Sequence, residues 1–352
     1  MKLTMKSGAT PSRFACNVRR MAAAALMVVM ALAVPKPARA GRLGTDVIAL
    51  FPKDVGEFAY ADLKKARTLK WFPQLQEQMI PERFRQFEKF LASAGVDPNS
   101  QVDELAWGLV AEGMSANAEG TGSSALPSGE EIVGVALGSY NPSSTEAYFR
   151  QQKIPMFKSR AYTLYAFGTG SGPNDLFFFF IDSSTAAFGH RAILEKMIEV
   201  RFGGDEGLLQ NDKLFPLINE ANGSGVVWAV LNPAYTRLAM QQLAPEVEQF
   251  PEAAKLVSRM QNMIINVDAD SGVDGKFQAV CGSTEDANTL SQLVQAGFLY
   301  KRYQAQKDSP ELAQLLDQAR VSPAGDRVTV EMSLSDDQMT SLIRRNTFAL
   351  KM

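Results

Sequence analysis

An α+β fold built from two ferredoxin-like βαββαβ pseudo-repeats is what this 352-residue sequence predicts. Three observations carry that expectation. Short apolar strand-like runs alternate with amphipathic helical stretches. The strand–helix order runs twice along the chain. Capping-box spacings recur where helices should begin after strands.

The elements of the first copy follow in order. Glu57–Asp62 reads as a short strand, and helical stretches follow at Trp71–Ile80 and Pro81–Ala94. The second places Phe84, Phe87, Phe90, Leu91 and Ala94 on one face, with Pro81 in its first turn and Gly95 as a stop. Glu104–Val110 and Glu131–Leu137 are strands joined by a Gly/Ser/Ala-rich stretch, Gly113–Gly129, which reads as a mobile surface loop. Ser143-Ser-Thr-Glu146 has capping-box spacing, and Tyr162–Phe167 closes the set.

Between the copies, Leu176-Phe-Phe-Phe-Phe-Ile181 is apolar at every position and predicts a central strand covered on both faces. Gly168–Asp175 would turn into it, and helices are expected at about 190–202 and 212–221. The second copy then runs through a strand at Val226–Leu231, helical sequence from Pro233 to Arg259, and a hairpin of Met263–Asp268 with Lys276–Cys281. A capping box at Ser283–Asp286 opens the next helix. A shorter helix at Pro310–Ala319, a strand at Arg327–Leu334 and a box at Ser335–Gln338 end the pattern. The organisation expected is a signal peptide over 1–40, one repeat with an extra hairpin over 41–205, and a second over 206–352.

The first forty residues have the build of an export signal. Lys2, Lys6, Arg13, Arg19 and Arg20 form a basic head, and Met21–Val34 is an apolar run of fourteen residues. That is short of the roughly 20 residues needed to span a bilayer. Pro35 and Pro37 precede Ala38-Arg39-Ala40, a small-x-small motif that predicts cleavage before Gly41. General secretion fits better than a twin-arginine route, since plain Met21-Ala22-Ala23 follows Arg19-Arg20. No cysteine follows the apolar run, which disfavours a lipoprotein. The competing reading keeps the segment as an uncleaved anchor. The expected location is the periplasm or the exterior, with no stable membrane span after cleavage.

Cleavage changes the composition. The segment holds seven of the 36 basic residues and none of the 38 acidic ones, so the remainder carries 29 against 38, a formal charge of −9. That balance argues against a nucleic-acid partner, which needs clustered positive charge. Cys281 is the one cysteine left, so no intramolecular disulfide can form and stability must come from the core.

Few residues suggest chemistry. Asp268-Ala-Asp270-Ser-Gly272-Val-Asp274-Gly275 alternates carboxylates and glycines as Ca²⁺ loops do, making Asp268, Asp270 and Asp274 candidate metal ligands. Position twelve of an EF-hand count falls on Ala279, where a bidentate Glu is required, so an ordinary hairpin turn is the stronger reading. His190 is the only histidine, which excludes multi-His zinc sites and a two-His relay. Cys281 reads as an inert buried thiol. Gly168-Thr-Gly-Ser-Gly172 is off the register of a nucleophile elbow and lacks the Lys of a phosphate loop. Acidic neighbours such as Asp205/Glu206 and Asp336/Asp337 have no specificity as catalytic pairs. Trp107 and Trp228 sit in apolar strands and should pack in the core, leaving Trp71-Phe72, at a helix start beside Pro73, as the one aromatic pair open to exposure. No catalytic residue and no cofactor is assigned.

Leu50–Asp62 at the mature start and Val328–Leu334 near the end, together with the signal, resemble uncharacterised exported bacterial α+β proteins. The resemblance spans most of the mature chain at the level of pattern and brings no catalytic motif. It implies a bacterial envelope protein and no activity. The leading expectation is a non-enzymatic exported domain that binds an envelope protein partner or component through its sheet edges or the Gly113–Gly129 loop. The alternative is a hydrolase using acidic residues in an inter-repeat cleft. A third reading, a small-molecule carrier between the two halves, requires a large apolar cavity there.

Overall fold

The computed structural model describes residues 41–80, 82–111, 130–172, 175–243, 251–270, 272–308 and 310–345. The expected signal segment and the Gly113–Gly129 loop lie outside the described residues.

Twelve strands form one antiparallel sheet: β1 (Glu57–Asp62), β2 (Val102–Ala111), β3 (Glu130–Gly138), β4 (Met156–Ser159), β5 (Tyr162–Phe167), β6 (Leu176–Phe180), β7 (Thr185–His190), β8 (Val227–Leu231), β9 (Asn262–Asp268), β10 (Val273–Val280), β11 (Arg320–Ala324) and β12 (Arg327–Leu334). Their spatial order is β11-β12-β10-β9-β8-β1-β2-β3-β7-β6-β5-β4. The class is α+β, as expected. Two separate ferredoxin-like sheets are not seen. In that arrangement the first two strands are parallel with another inserted between them. Here β1 pairs directly and antiparallel with β2, and β8 with β9, while β1 and β8 join the halves. Alternation along a strand shows which face is buried and leaves its partner open.

Helices cover the sheet. They are α1 (Thr45–Ile48), α2 (Leu63–Ala66), α3 (Phe72–Met79), α4 (Glu82–Ser93), α5 (Pro98–Gln101), α6 (Pro142–Gln151), α7 (Arg191–Arg201), α8 (Phe215–Ala221), α9 (Pro233–Leu243), α10 (Pro251–Ser258), α11 (Thr284–Asp308), α12 (Pro310–Gln318) and α13 (Asp336–Arg344). One face packs α1, α7 and α8 through Ile48, Leu194 and Ile218. The other packs α4, α6, α9 and α11 through Phe87, Phe149, Leu238 and Leu290. The all-phenylalanine run of β6 follows from this sandwich. Phe177 and Phe179 enter the first core and Phe178 and Phe180 the second, so every residue is buried.

A third cluster sits beside the sheet, where α13 (Met339, Leu342, Ile343) meets Trp71 and Leu75 of the α3 segment. Its helix caps are local and strong. Ser335 Oγ accepts from the Gln338 amide at 3.2 Å, and Gln338 Oε1 accepts from the Ser335 amide at 2.9 Å. The expected box at Ser143 is displaced: Asn141 caps α6, accepting from the Ser144 amide, with Pro142 opening the helix.

Candidate functional site

A cavity of about 330 Å³ lies between the α3–α4 pair and the sheet. Its floor comes from cross-strand ladders. Leu105 on β2 lies opposite Ala136 on β3, Ala136 opposite Ala186 on β7, and Ala186 opposite Phe180 on β6. One row away, Trp107, Gly134, Phe188 and Phe178 are likewise consecutive neighbours. The two alanines leave a hollow between large flanking side chains. Gly134 has a different part: a Cβ there would stand 2.2 Å from the Phe188 ring, so the missing side chain lets that ring lie down on the sheet.

The roof explains the partly exposed apolar face of α4. Phe84, Phe87 and Leu91 line the cavity from above, joined by Phe72 and Ile80 from the α3 segment. Trp71 and Phe72, the pair open to exposure by sequence, are turned apart by the helix. Trp71 is 6 % exposed in the third cluster, with its indole Nε1 bonded to Asp336 Oδ1 at 2.9 Å, while Phe72 lines the cavity. Trp228 is fully buried, as expected, and stacks on Tyr60 with ring centroids 5.5 Å apart. Trp107 is half-buried because one side of it faces the cavity.

Few polar groups reach the lining. Gln76 Nε2 donates to Asn99 Oδ1 at 3.1 Å, so these two amides satisfy each other. Arg67 Nη2 donates to the carbonyl oxygens of Pro98, at 3.0 Å, and Val102. Burial pushes the Glu88 carboxyl above its ordinary pKa of 4.5, and nearby Arg85 only partly opposes this. The Tyr140 hydroxyl is buried in the wall with no hydrogen-bond partner among the described residues, and burial raises its pKa. Among the described residues, Arg67 and Glu88 are the only charged ones on the lining.

The residues singled out by sequence lie elsewhere and do not converge. Asp268 ends β9 directly opposite Asp274 on β10, and Asp270 lies in the connecting turn. Lys65 Nζ sits 3.0 Å from Asp268 Oδ1 and 2.8 Å from Asp270 Oδ1. Burial works against the Lys65 charge, but the two carboxylates outweigh it and its pKa rises. Among the described residues no group of three or more His, Cys, Asp or Glu is placed to hold a metal ion. His190 caps α7, and its Nδ1 accepts from the Ile132 amide at 3.1 Å. Cys281 is buried, and burial pushes its thiol up to about 11. The 168–175 loop closes on its own carboxylate, with Asp175 Oδ2 accepting from the Gly170 and Gly172 amides at 2.7 and 2.9 Å. Glu206 pairs with Lys53, and Asp336 holds Trp71, so neither acidic pair is free for chemistry.

Sequence reasoning missed the cavity. Its most direct signal was Thr185–His190, a strand rich in small residues (Ala186, Ala187, Gly189) beside the bulky β6. Among the described residues no helix is long and apolar enough to cross a membrane.

No protein-family model matches the chain, and no curated protein matches it. A solved structure of TP0453, a Treponema pallidum protein, is similar in fold. Crystal form III aligns with a TM-score of 0.51 at 12 % identity, covering 86 % of this chain and 99 % of that one. Crystal form I aligns at 0.48 and 12 % identity over 87 % and 99 %. At this identity the likeness to crystal form III shows a common α+β architecture.

Proposed function

We propose that this chain is an exported, non-enzymatic binding protein of the bacterial cell envelope that holds an apolar small molecule between α3–α4 and the sheet. The observation that carries this reading is the cavity of about 330 Å³, walled by aromatic and aliphatic side chains. Ligand pockets run from about 300 to 1,000 Å³ and combine an apolar lining with a few polar groups, and this one has that character at the small end. The carrier reading of the sequence placed such a cavity between the two halves. Here it lies within the first half, under α3 and α4.

The hydrolase alternative needs two carboxylates facing one space, and this lining offers Glu88 alone. Export rests on residues 1–40: basic head, apolar run and small-x-small motif. Mass spectrometry of the secreted protein should find an N-terminus at or next to Gly41; an intact Met1 removes the export half of the reading.

Binding is tested with N-phenyl-1-naphthylamine, a neutral apolar dye whose emission rises out of water. Saturable enhancement is expected with the unaltered protein. Ala136→Leu, which puts a side chain into the floor, should abolish it. Equal enhancement in both proteins would place the dye elsewhere and sink the assignment.

A further inference from the structure

We propose that the ligand of this cavity is a single-chain amphiphile with an anionic head, and that Arg67 is the group that receives the head. The inference rests on the apolar-pocket reading above and adds to it the chemical class of the ligand.

The fold leaves one charge at the cavity unbalanced. Arg67 follows α2 and lines the cavity, half-buried. A guanidinium has five N–H donors. Its hydrogen bonds run from Nη2 to the carbonyl oxygens of Pro98 and Val102, which fix the side chain in place without neutralising it. No carboxylate among the described residues pairs with it. Several other partly buried cations are paired: Lys65 with Asp268 and Asp270, Lys196 with Asp54 at 2.7 Å, Arg327 with Glu220 at 2.5 Å. A fixed cation against low-dielectric walls draws an anion more strongly than the same cation in water. Its planar fork also suits the two oxygens of a carboxylate or phosphate.

Size and walls set the rest of the molecule. The space suits one aliphatic chain, since it is at the lower limit of ligand pockets. The roof and floor are mostly aliphatic and aromatic, and the Gln76 and Asn99 amides bond each other, which leaves the Tyr140 hydroxyl as the unpartnered neutral polar group of the wall among the described residues. Glu88 is the opposing charge on the lining, with Arg85 and Asp97 acting on it. It disfavours an oxyanion beside α4 and so directs the head to Arg67. Carboxylate and phosphate monoester share this chemistry, and the assay separates them.

The test is displacement of N-phenyl-1-naphthylamine from the exported protein by dodecanoate and monododecyl phosphate, both below their micellar concentrations, and by dodecanol below its solubility limit. The anion with the fitting head should displace the dye at roughly one-tenth the concentration of dodecanol, the return expected from one charge-assisted bidentate contact. Whichever anion is tighter identifies the head. In Arg67→Met the ratio should fall to less than about threefold, and in Glu88→Gln, which keeps the Arg67 braces, it should rise above that of the unaltered protein. Reading a ratio within each variant cancels general changes in the pocket. Equal displacement by dodecanol and both anions overturns the anionic head while leaving the apolar pocket standing. A dye that never binds overturns the pocket reading itself. Should Arg67→Met fail to fold, a ratio that does not rise in Glu88→Gln overturns the charge argument.

Discussion

The Trp71 indole and the Asp336 carboxylate, 265 positions apart in the chain, meet in a 2.9 Å hydrogen bond that ties the roof of the cavity to the last helix. Trp71 and Leu75 anchor one side of the α3 segment on Leu342 and Ile343 of α13, while Phe72, Gln76 and Ile80 line the cavity from the other. Position of the roof therefore depends on packing at the far end of the chain. Trp71→Phe keeps much of the buried ring and removes the donor, and should lower unfolding stability by about 1–3 kcal/mol in urea titrations. No change in the midpoint would show the bond to be unimportant.

The Ala136–Ala186 pair predicts an unusual response to enlargement. In a filled core, extra methylenes strain their neighbours. Over a hollow they fill space, so Ala136→Leu should leave stability unchanged or raise it by about 0.5–2 kcal/mol while removing dye binding. A fall in melting temperature would mean that the hollow is already closed in solution.

Glu88 predicts a pH dependence with a definite sign. Its folded pKa is raised above 4.5 by burial. Such a group contributes stability that is fully present below the unfolded pKa and lost as pH rises through the folded value. Glu88→Gln removes that loss. The variant's advantage in melting temperature should therefore be larger at pH 7 than at pH 4. An advantage that is the same at both pH values contradicts the burial argument.

Lys65 predicts the behaviour of the aspartate turn. Its ammonium stands between Asp268 and Asp270, so a cation must displace it to bind there. Calorimetric titration of the unaltered protein with Ca²⁺ should give no saturable heat, and a saturable isotherm would restore the metal reading. Lys65→Met leaves two neighbouring carboxylates uncompensated and should cost about 1–3 kcal/mol, between the values for exposed and buried pairs.

Much of the secondary structure was legible because it is written locally. The strands at Glu57–Asp62, Tyr162–Phe167 and Arg327–Leu334 begin and end where the pattern places them, and Ser283 and Ser335 cap their helices as spacing predicts. Three strands were missed. β4 and β11 are short edge strands with exposed residues, and β7 is rich in small ones, so none shows an apolar alternation. The candidate site was hidden for a related reason. Ala136, Ala186 and Gly134 are unremarkable in sequence, and they make a hollow only because β3 and β7 pair in one register.

By itself, then, the sequence determined what depends on neighbours along the chain: the export-like first forty residues, the acidic balance of the remainder, the α+β class, the helix caps and the doubly covered β6. Tertiary structure decided which strands lie side by side, that β1 and β8 merge twelve strands into one sheet, and that Trp71 turns inward while Phe72 faces a cavity. The division is physical. Periodicity and capping act over a few residues, whereas strand pairing and the space left between packed layers arise from contacts between residues far apart in sequence.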